Sequence, residues 1–155
     1  MKKIIAFSIV FSLLAFSQSF GQSYPPGFSI TMSGSVPTFN FVTIDNYEDG
    51  IQQKDAVIFT VTSHGEHWNI YVRGNNSSFS GSAGTVPLAT LKLRSNSSSY
   101  IHLSTSDQIL ENYAGNTYSS PTTKTYKIDY FADDINYLYE PGSYSAGITY
   151  TITMP

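Results

Sequence analysis

An Ig-like antiparallel β-sandwich of about eight or nine short strands is the fold this sequence predicts. Three observations point there. Runs of β-formers alternate apolar with polar residues at period two, the pattern of strands with one face in a core and one in water. Clusters of Gly, Pro, Asn and Asp interrupt the runs about every ten residues, as turns do in sandwiches. Twelve Tyr and ten Phe supply bulk while charged residues make up only 12%, a composition typical of exported β proteins.

Residues 1–21 read as an export leader. Lys2 and Lys3 form a basic start, Ile4 to Phe16 an apolar stretch, and Ser19-Phe20-Gly21 sets small residues at the −3 and −1 positions of a cleavage site. The apolar stretch is shorter than the roughly 20 residues that span a bilayer. With no cysteine in the chain, a lipid-anchored cysteine is excluded. The expected mature chain is residues 22–155, a single exported domain with no membrane span, located in the periplasm, at the surface or outside the cell. Without Lys2 and Lys3, six basic residues face eleven acids. A surface of that sign does not collect phosphates, so nucleic acid is not an expected partner.

The strands follow in order. Behind a Tyr24-Pro25-Pro26-Gly27 lead, where proline forbids helix and central strand, Phe28, Ile30 and Met32 alternate with Ser29, Thr31 and Ser33. Thr38 to Ile44 carries Phe39 and Phe41 on one face until the alternation breaks near Val42. Asp45 to Gly50 reads as a polar loop. Ala56 to Ser63 and His67 to Arg73 read as a core hairpin anchored by Trp68, the one tryptophan. Gly74 to Thr85, nearly all Gly, Ser and Asn, reads as a surface loop. Pro87 to Leu93 and Tyr100 to Ser104 are further strands, and Ser106-Asp107 can cap one helical turn reaching Tyr113. Gly115 to Thr123 is loop, Thr125 to Phe131 alternates again, and Ile135 to Tyr139 adds a few extended residues. From Pro141-Gly142 onward, Tyr144, Ala146, Ile148, Tyr150, Ile152 and Met154 read as one long final strand.

No catalytic constellation emerges from these residues, and neither a cofactor nor a metal is expected. His64-Gly65-Glu66-His67 lacks the helical one-turn spacing of zinc peptidases and lies between strands. Asp45 to Gly50 begins like a calcium loop, but Tyr47 and Ala56 stand at two positions where that loop needs oxygen ligands. Asp129, Asp133 and Asp134 form a second acidic group that reads as a solvated turn. Gly81-Ser82-Ala83-Gly84 falls one residue short of a nucleophile elbow. Tyrosines on outer faces or in loops are the better evidence for binding: Tyr71, Tyr113, Tyr118, Tyr137 and Tyr139. Of these, Tyr71 and Tyr139 are the expected ligand-stacking residues, because tyrosine rings stack on sugars and on partner proteins.

Pro141-Gly142-Ser143-Tyr144 followed by Ile148-Thr149-Tyr150-Thr151-Ile152 resembles the terminal strand of spore-coat-U-type secreted domains and chaperone–usher pilins. Gly142 occupies the glycine position of that strand. Met154 stands where the pilins carry an aromatic, and their cysteine pair is absent. The resemblance implies an incomplete Ig-like sandwich completed by a strand from a neighbouring subunit. Phe28, Ile30 and Met32 have the alternation that such a donor strand needs. The expectation is therefore a non-enzymatic structural or adhesive surface subunit, fimbrial in type, whose partners are subunits of its own or a related kind. The alternative is a small secreted carbohydrate-binding domain that uses its tyrosines on glycans.

Overall fold

Strands form at nearly every alternating run, and at some places where the sequence reads as loop. The computed structural model describes the backbone of residues 5–10 and, with their side chains, residues 28–35, 37–81, 84–115, 121–135 and 137–154. In chain order the elements are β1 (Ile5–Val10), β2 (Ser29–Gly34), β3 (Thr38–Phe41), α1 (Ile44–Glu48), β4 (Ile51–Ser63), β5 (Trp68–Gly74) and β6 (Ser78–Gly81). They continue as β7 (Gly84–Pro87), β8 (Leu91–Ser95), β9 (Ile101–His102), β10 (Gln108–Tyr113), β11 (Thr122–Ala132), β12 (Gly142–Ser145) and β13 (Ile148–Met154). All pairings are antiparallel, in a four-stranded sheet β1-β13-β5-β10, a five-stranded sheet β2-β4-β11-β8-β9 and a second four-stranded sheet β3-β12-β6-β7. The fold is all-β and sandwich-like, with more strands than the sequence suggests and with β4 and β11 longer than their alternating runs.

Two layers share the main core. Trp68, Ile70 and Val72 of β5 and Tyr150 and Ile152 of β13 face Val57, Phe59 and Val61 of β4 and Ile128 and Tyr130 of β11, all buried. Phe59 meets Tyr150 edge-on at 4.8 Å between ring centroids, a geometry that adds to simple area burial. The third sheet has its own aromatic cluster: Phe39 on Phe79, and Tyr144 against both Phe41 and Phe79.

Several expectations change. Ala56 to Ser63 and His67 to Arg73 do not form a hairpin: β4 pairs with β2 and β11, and β5 with β13 and β10. Each carries a fully apolar face, and the two faces meet across the core, so the short link between them arches from layer to layer. The final run is also two strands in two sheets. β12 pairs with β3 and β6, the chain crosses at Ala146-Gly147, and β13 pairs with β5. Asn75 pins the crossing, its N–H donating to the Gly147 carbonyl at 2.8 Å while its Oδ1 accepts from Thr149 Oγ1 at 2.5 Å.

Gly74 to Thr85 contains β6 and β7, held down by buried Phe79. The turn expected after Ser106 is instead β10, bulged between Ile109 and Glu111 so that Leu110 still reaches the core. Asp45 to Gly50 belongs to a short helix with a reciprocal cap: Thr43 Oγ1 accepts from the Asn46 N–H at 3.3 Å, and Asn46 Oδ1 accepts from the Thr43 N–H at 3.2 Å. The Pro87 to Leu93 run opens with a 3₁₀ turn, Leu88–Thr90, before β8, and Ile135 to Tyr139 adds no strand. Among the described residues no helix is long and apolar enough to cross a membrane.

Candidate functional site

The feature that bears most directly on a partner is the outer edge of β13. Its sequence alternates β-branched and aromatic residues, and Ile148, Tyr150 and Ile152 are buried while Thr151 and Thr153 keep partial access to solvent. One edge pairs with β5, from Ile148 opposite Gly74 to Thr153 opposite Asn69. The other pairs with β1, from Ile5 opposite Met154 to Val10 opposite Thr149. So the strand beside the last strand is the apolar stretch that the sequence reads as an export leader. A strand edge presents a row of backbone donors and acceptors that must find partners, and here residues 5–10 supply them.

Beneath that edge, Tyr150 Oη and Tyr130 Oη hydrogen-bond to one another within the core. Burial pushes both phenols above the ordinary tyrosine range. Beside the pair is an apolar cleft lined by Met32, Pro37, Val57 and Ile148, with room on the order of one water molecule. A small-molecule site needs far more space.

Phe28, Ile30 and Met32 lie at or within β2, which pairs with β4 of the same chain from Ser29 opposite Thr62 to Gly34 opposite Val57. Phe28 is buried with its ring edge-on to Trp68 at 6.4 Å, and Ile30 and Met32 pack on the core. Within this chain the alternation of Phe28, Ile30 and Met32 is paired with β4.

The tyrosines separate sharply. Tyr139 packs against the core, and Tyr113 stacks on Trp68 at 3.9 Å. Tyr71 is half-buried on the outer face of its sheet, directly between Ile109 and Thr151. Tyr118 lies outside the described residues. Tyr137 keeps 57% of its surface in water, and its ring lies parallel to Tyr47 at 5.1 Å. Its hydroxyl donates to Glu48 Oε1 at 3.0 Å. Burial against the helix, then Glu48 and Asp45, raise its pKa.

Several of the acids and histidines have local partners. Asp129, read as a turn acid, sits buried on β11. It accepts from Arg94 Nε at 3.0 Å and from the Asp55 N–H at 2.9 Å. Asp133 pairs with Lys92 at 2.5 Å. Glu66 accepts from the His64 N–H at 2.8 Å, closing the arch between β4 and β5, and His102 Nδ1 contacts the Ala89 carbonyl at 2.8 Å. Among the described residues no three His, Asp or Glu side chains converge as a metal centre requires.

Sequence reasoning did not find the apolar surface around Tyr137, where Val42, Ile44 and Leu138 are all exposed. The signal was there in part. Val42 and Ile44 break the alternation immediately before an acidic segment, where a buried strand would have had no reason to stop. Against known proteins, the chain matches no family model and no curated protein.

Proposed function

We propose that this chain is an exported, non-enzymatic structural or adhesive surface subunit that takes up a strand from another subunit along the outer edge of β13. One observation carries the reading. The edge of the last strand is paired, residue for residue, with Ile5–Val10, the stretch that reads as a leader removed on export. Removal of that stretch leaves the β13 edge without its partner, beside a core that already has its apolar face in place. Uptake of an extended segment by an exposed sheet edge is a common mode of protein recognition, main-chain hydrogen bonds giving affinity and alternate side chains giving register. The glycan-binding alternative has less support, since Tyr139 packs on the core and Tyr71 is hemmed in by its cross-strand neighbours.

The test uses the processed protein recovered after export. Adding a synthetic peptide of sequence Ile-Ala-Phe-Ser-Ile-Val, the residues of β1, is expected to raise the melting temperature in a concentration-dependent way. A scrambled peptide that loses the alternation should do nothing. No shift with the matched peptide, in a protein that stays monomeric and melts cooperatively, removes strand addition.

A further inference from the structure

Large apolar side chains left in water at the described surface are few, and most of them lie on α1, on the residue before its cap, or on the turn whose Tyr137 stacks on the helix. Val42, Ile44, Tyr137 and Leu138 are 65%, 64%, 57% and 78% exposed. Ile44 and Glu48 lie one turn apart on α1 and so share a face, and Glu48 holds the Tyr137 hydroxyl. Leu138 is the next residue along. With Tyr47 covering one face of the Tyr137 ring and Glu48 its tip, the exposed area falls on the opposite face. Tyr137 adopts φ +56°, a left-handed conformation that a tyrosine rarely takes, and buried Ile135 anchors the turn by accepting the Leu138 N–H at 3.0 Å.

The helix side of this patch is acidic. Residues 41–50 contribute Asp45, Glu48 and Asp49 and hold no lysine or arginine, whereas Asp133 beside the turn is already paired with Lys92. A contact of the patch with its own image would oppose those carboxylates, which disfavours a two-fold dimer. What complements it is a cation beside an apolar side chain. The remaining exposed large apolar residue is Ile109, at 58%. It lies across from Tyr71 on the outer face of the first sheet, one alternation from Arg73. Arg73 is exposed and has only a loose partner, Asp107 at 3.8 Å. A guanidinium can lie on an aromatic face while pairing with carboxylates at the ring edge.

We propose that the Tyr137–Leu138 patch of one copy docks on the Tyr71, Arg73 and Ile109 face of a second copy. Arg73 lies over the open face of Tyr137 within reach of Asp45 and Glu48, and Leu138 packs against Ile109. The two surfaces differ, so the contact is heterologous and propagates in one direction instead of closing on itself. This rests on the subunit reading above, but it uses side chains rather than the β13 edge.

Sedimentation velocity of the processed protein over rising concentration tests it. Wild type is expected to associate, and Leu138→Asp and Ile109→Asp are each expected to weaken association by roughly tenfold or more. Both positions are exposed, so melting temperatures should stay near wild type, and Arg73→Ala replaces Ile109→Asp if that variant proves unstable. The decisive arm mixes the two variants in equal amounts. Each keeps one intact face, so the mixture should form a heterodimer and nothing larger. A wild type that stays monomeric, association indifferent to both variants, or a mixture without heterodimer overturns the contact. Association that ignores the face variants yet is blocked by the β1 peptide overturns the contact while leaving strand addition standing. The reverse pattern leaves the contact and removes strand addition.

Discussion

β11 and β13 have similar alternating sequences, and they are held in different ways. Each alternates aromatic and β-branched residues, and each buries its inner face fully at Ile128 and Tyr130 or at Tyr150 and Ile152. β11 has β4 along one edge and, from Ile128 to Ala132, β8 along the other. Its outward groups are tied as well, Asp129 to Arg94 and Lys127 to Asp55. β13 has β5 along one edge, and along the other only residues 5–10. Alternation thus reports which face of a strand is buried and is silent about which of its edges is covered.

Hydrogen exchange on the processed protein should show the largest difference. Amides of β11 from Ile128 to Ala132, where both edges are paired, are expected to exchange only through global opening, whose free energy is about 5–15 kcal/mol for a domain of this kind. Those β13 amides directed toward the edge vacated by β1 are expected to exchange at nearly unprotected rates, and the β1 peptide should slow them. Equal protection on the two edges of β13 would break the comparison, since something else would then have to cover the outer edge.

A smaller difference is expected from core truncation. Ile128 and Ile152 are both buried and both lose the same atoms on substitution by alanine. Such changes cost about 2–5 kcal/mol, depending on how far the surroundings collapse into the cavity. β11, clamped on both edges, can relax least. Ile128→Ala should therefore fall toward the upper end of that range and Ile152→Ala toward the lower, as read from urea midpoints. The opposite order would mean that β13 is the more rigid of the two.

The comparison also explains how much of this molecule could be read in advance. Inner faces were legible because burial imposes period two directly on sequence, as at Phe39 and Phe41 or at Trp68, Ile70 and Val72. Partners were not. Ala56 to Ser63 and His67 to Arg73 look like the two arms of a hairpin, yet they pair in different sheets, because a short connection can arch between layers as readily as it can turn within one. Helix α1 was announced by Thr43 and Asn46, three residues apart, but the acidic residues around them read equally well as loop. The split between β12 and β13 was hidden because Ala146-Gly147 keeps the alternation running through a change of sheet. The exposed patch was half visible. Tyr137 stood out by residue type, whereas its neighbours Val42, Ile44 and Leu138 show as surface residues only once the turn around Ile135 is in place.

A contact between the two strands gives the smallest and most specific prediction. Tyr130 of β11 and Tyr150 of β13 share a buried hydrogen bond, and both phenols are raised by burial. In the unfolded chain they should ionise near the ordinary tyrosine value of about 10. Above that pH the unfolded state holds fewer protons than the folded one, so stability, fully present below about pH 10, falls as pH rises, by about 1.4 kcal/mol per pH unit for each phenol. Lys127, raised by its hydrogen bond to and charge attraction for Asp55, is lost in the same direction at high pH. That pair is exposed, and such pairs contribute little. Tyr150→Phe should therefore lower the alkaline slope of the urea midpoint, and the double substitution with Tyr130→Phe should lower it further, leaving the part contributed by Tyr47, Tyr126, Tyr137 and Tyr144, which are raised in the same direction. At neutral pH the single variant leaves the Tyr130 hydroxyl buried without a partner, a loss of about 1–3 kcal/mol, whereas the double variant removes both polar groups and should be the more stable of the two. If the double variant keeps the wild-type slope, the alkaline sensitivity belongs to another group and the two strands are coupled by packing alone.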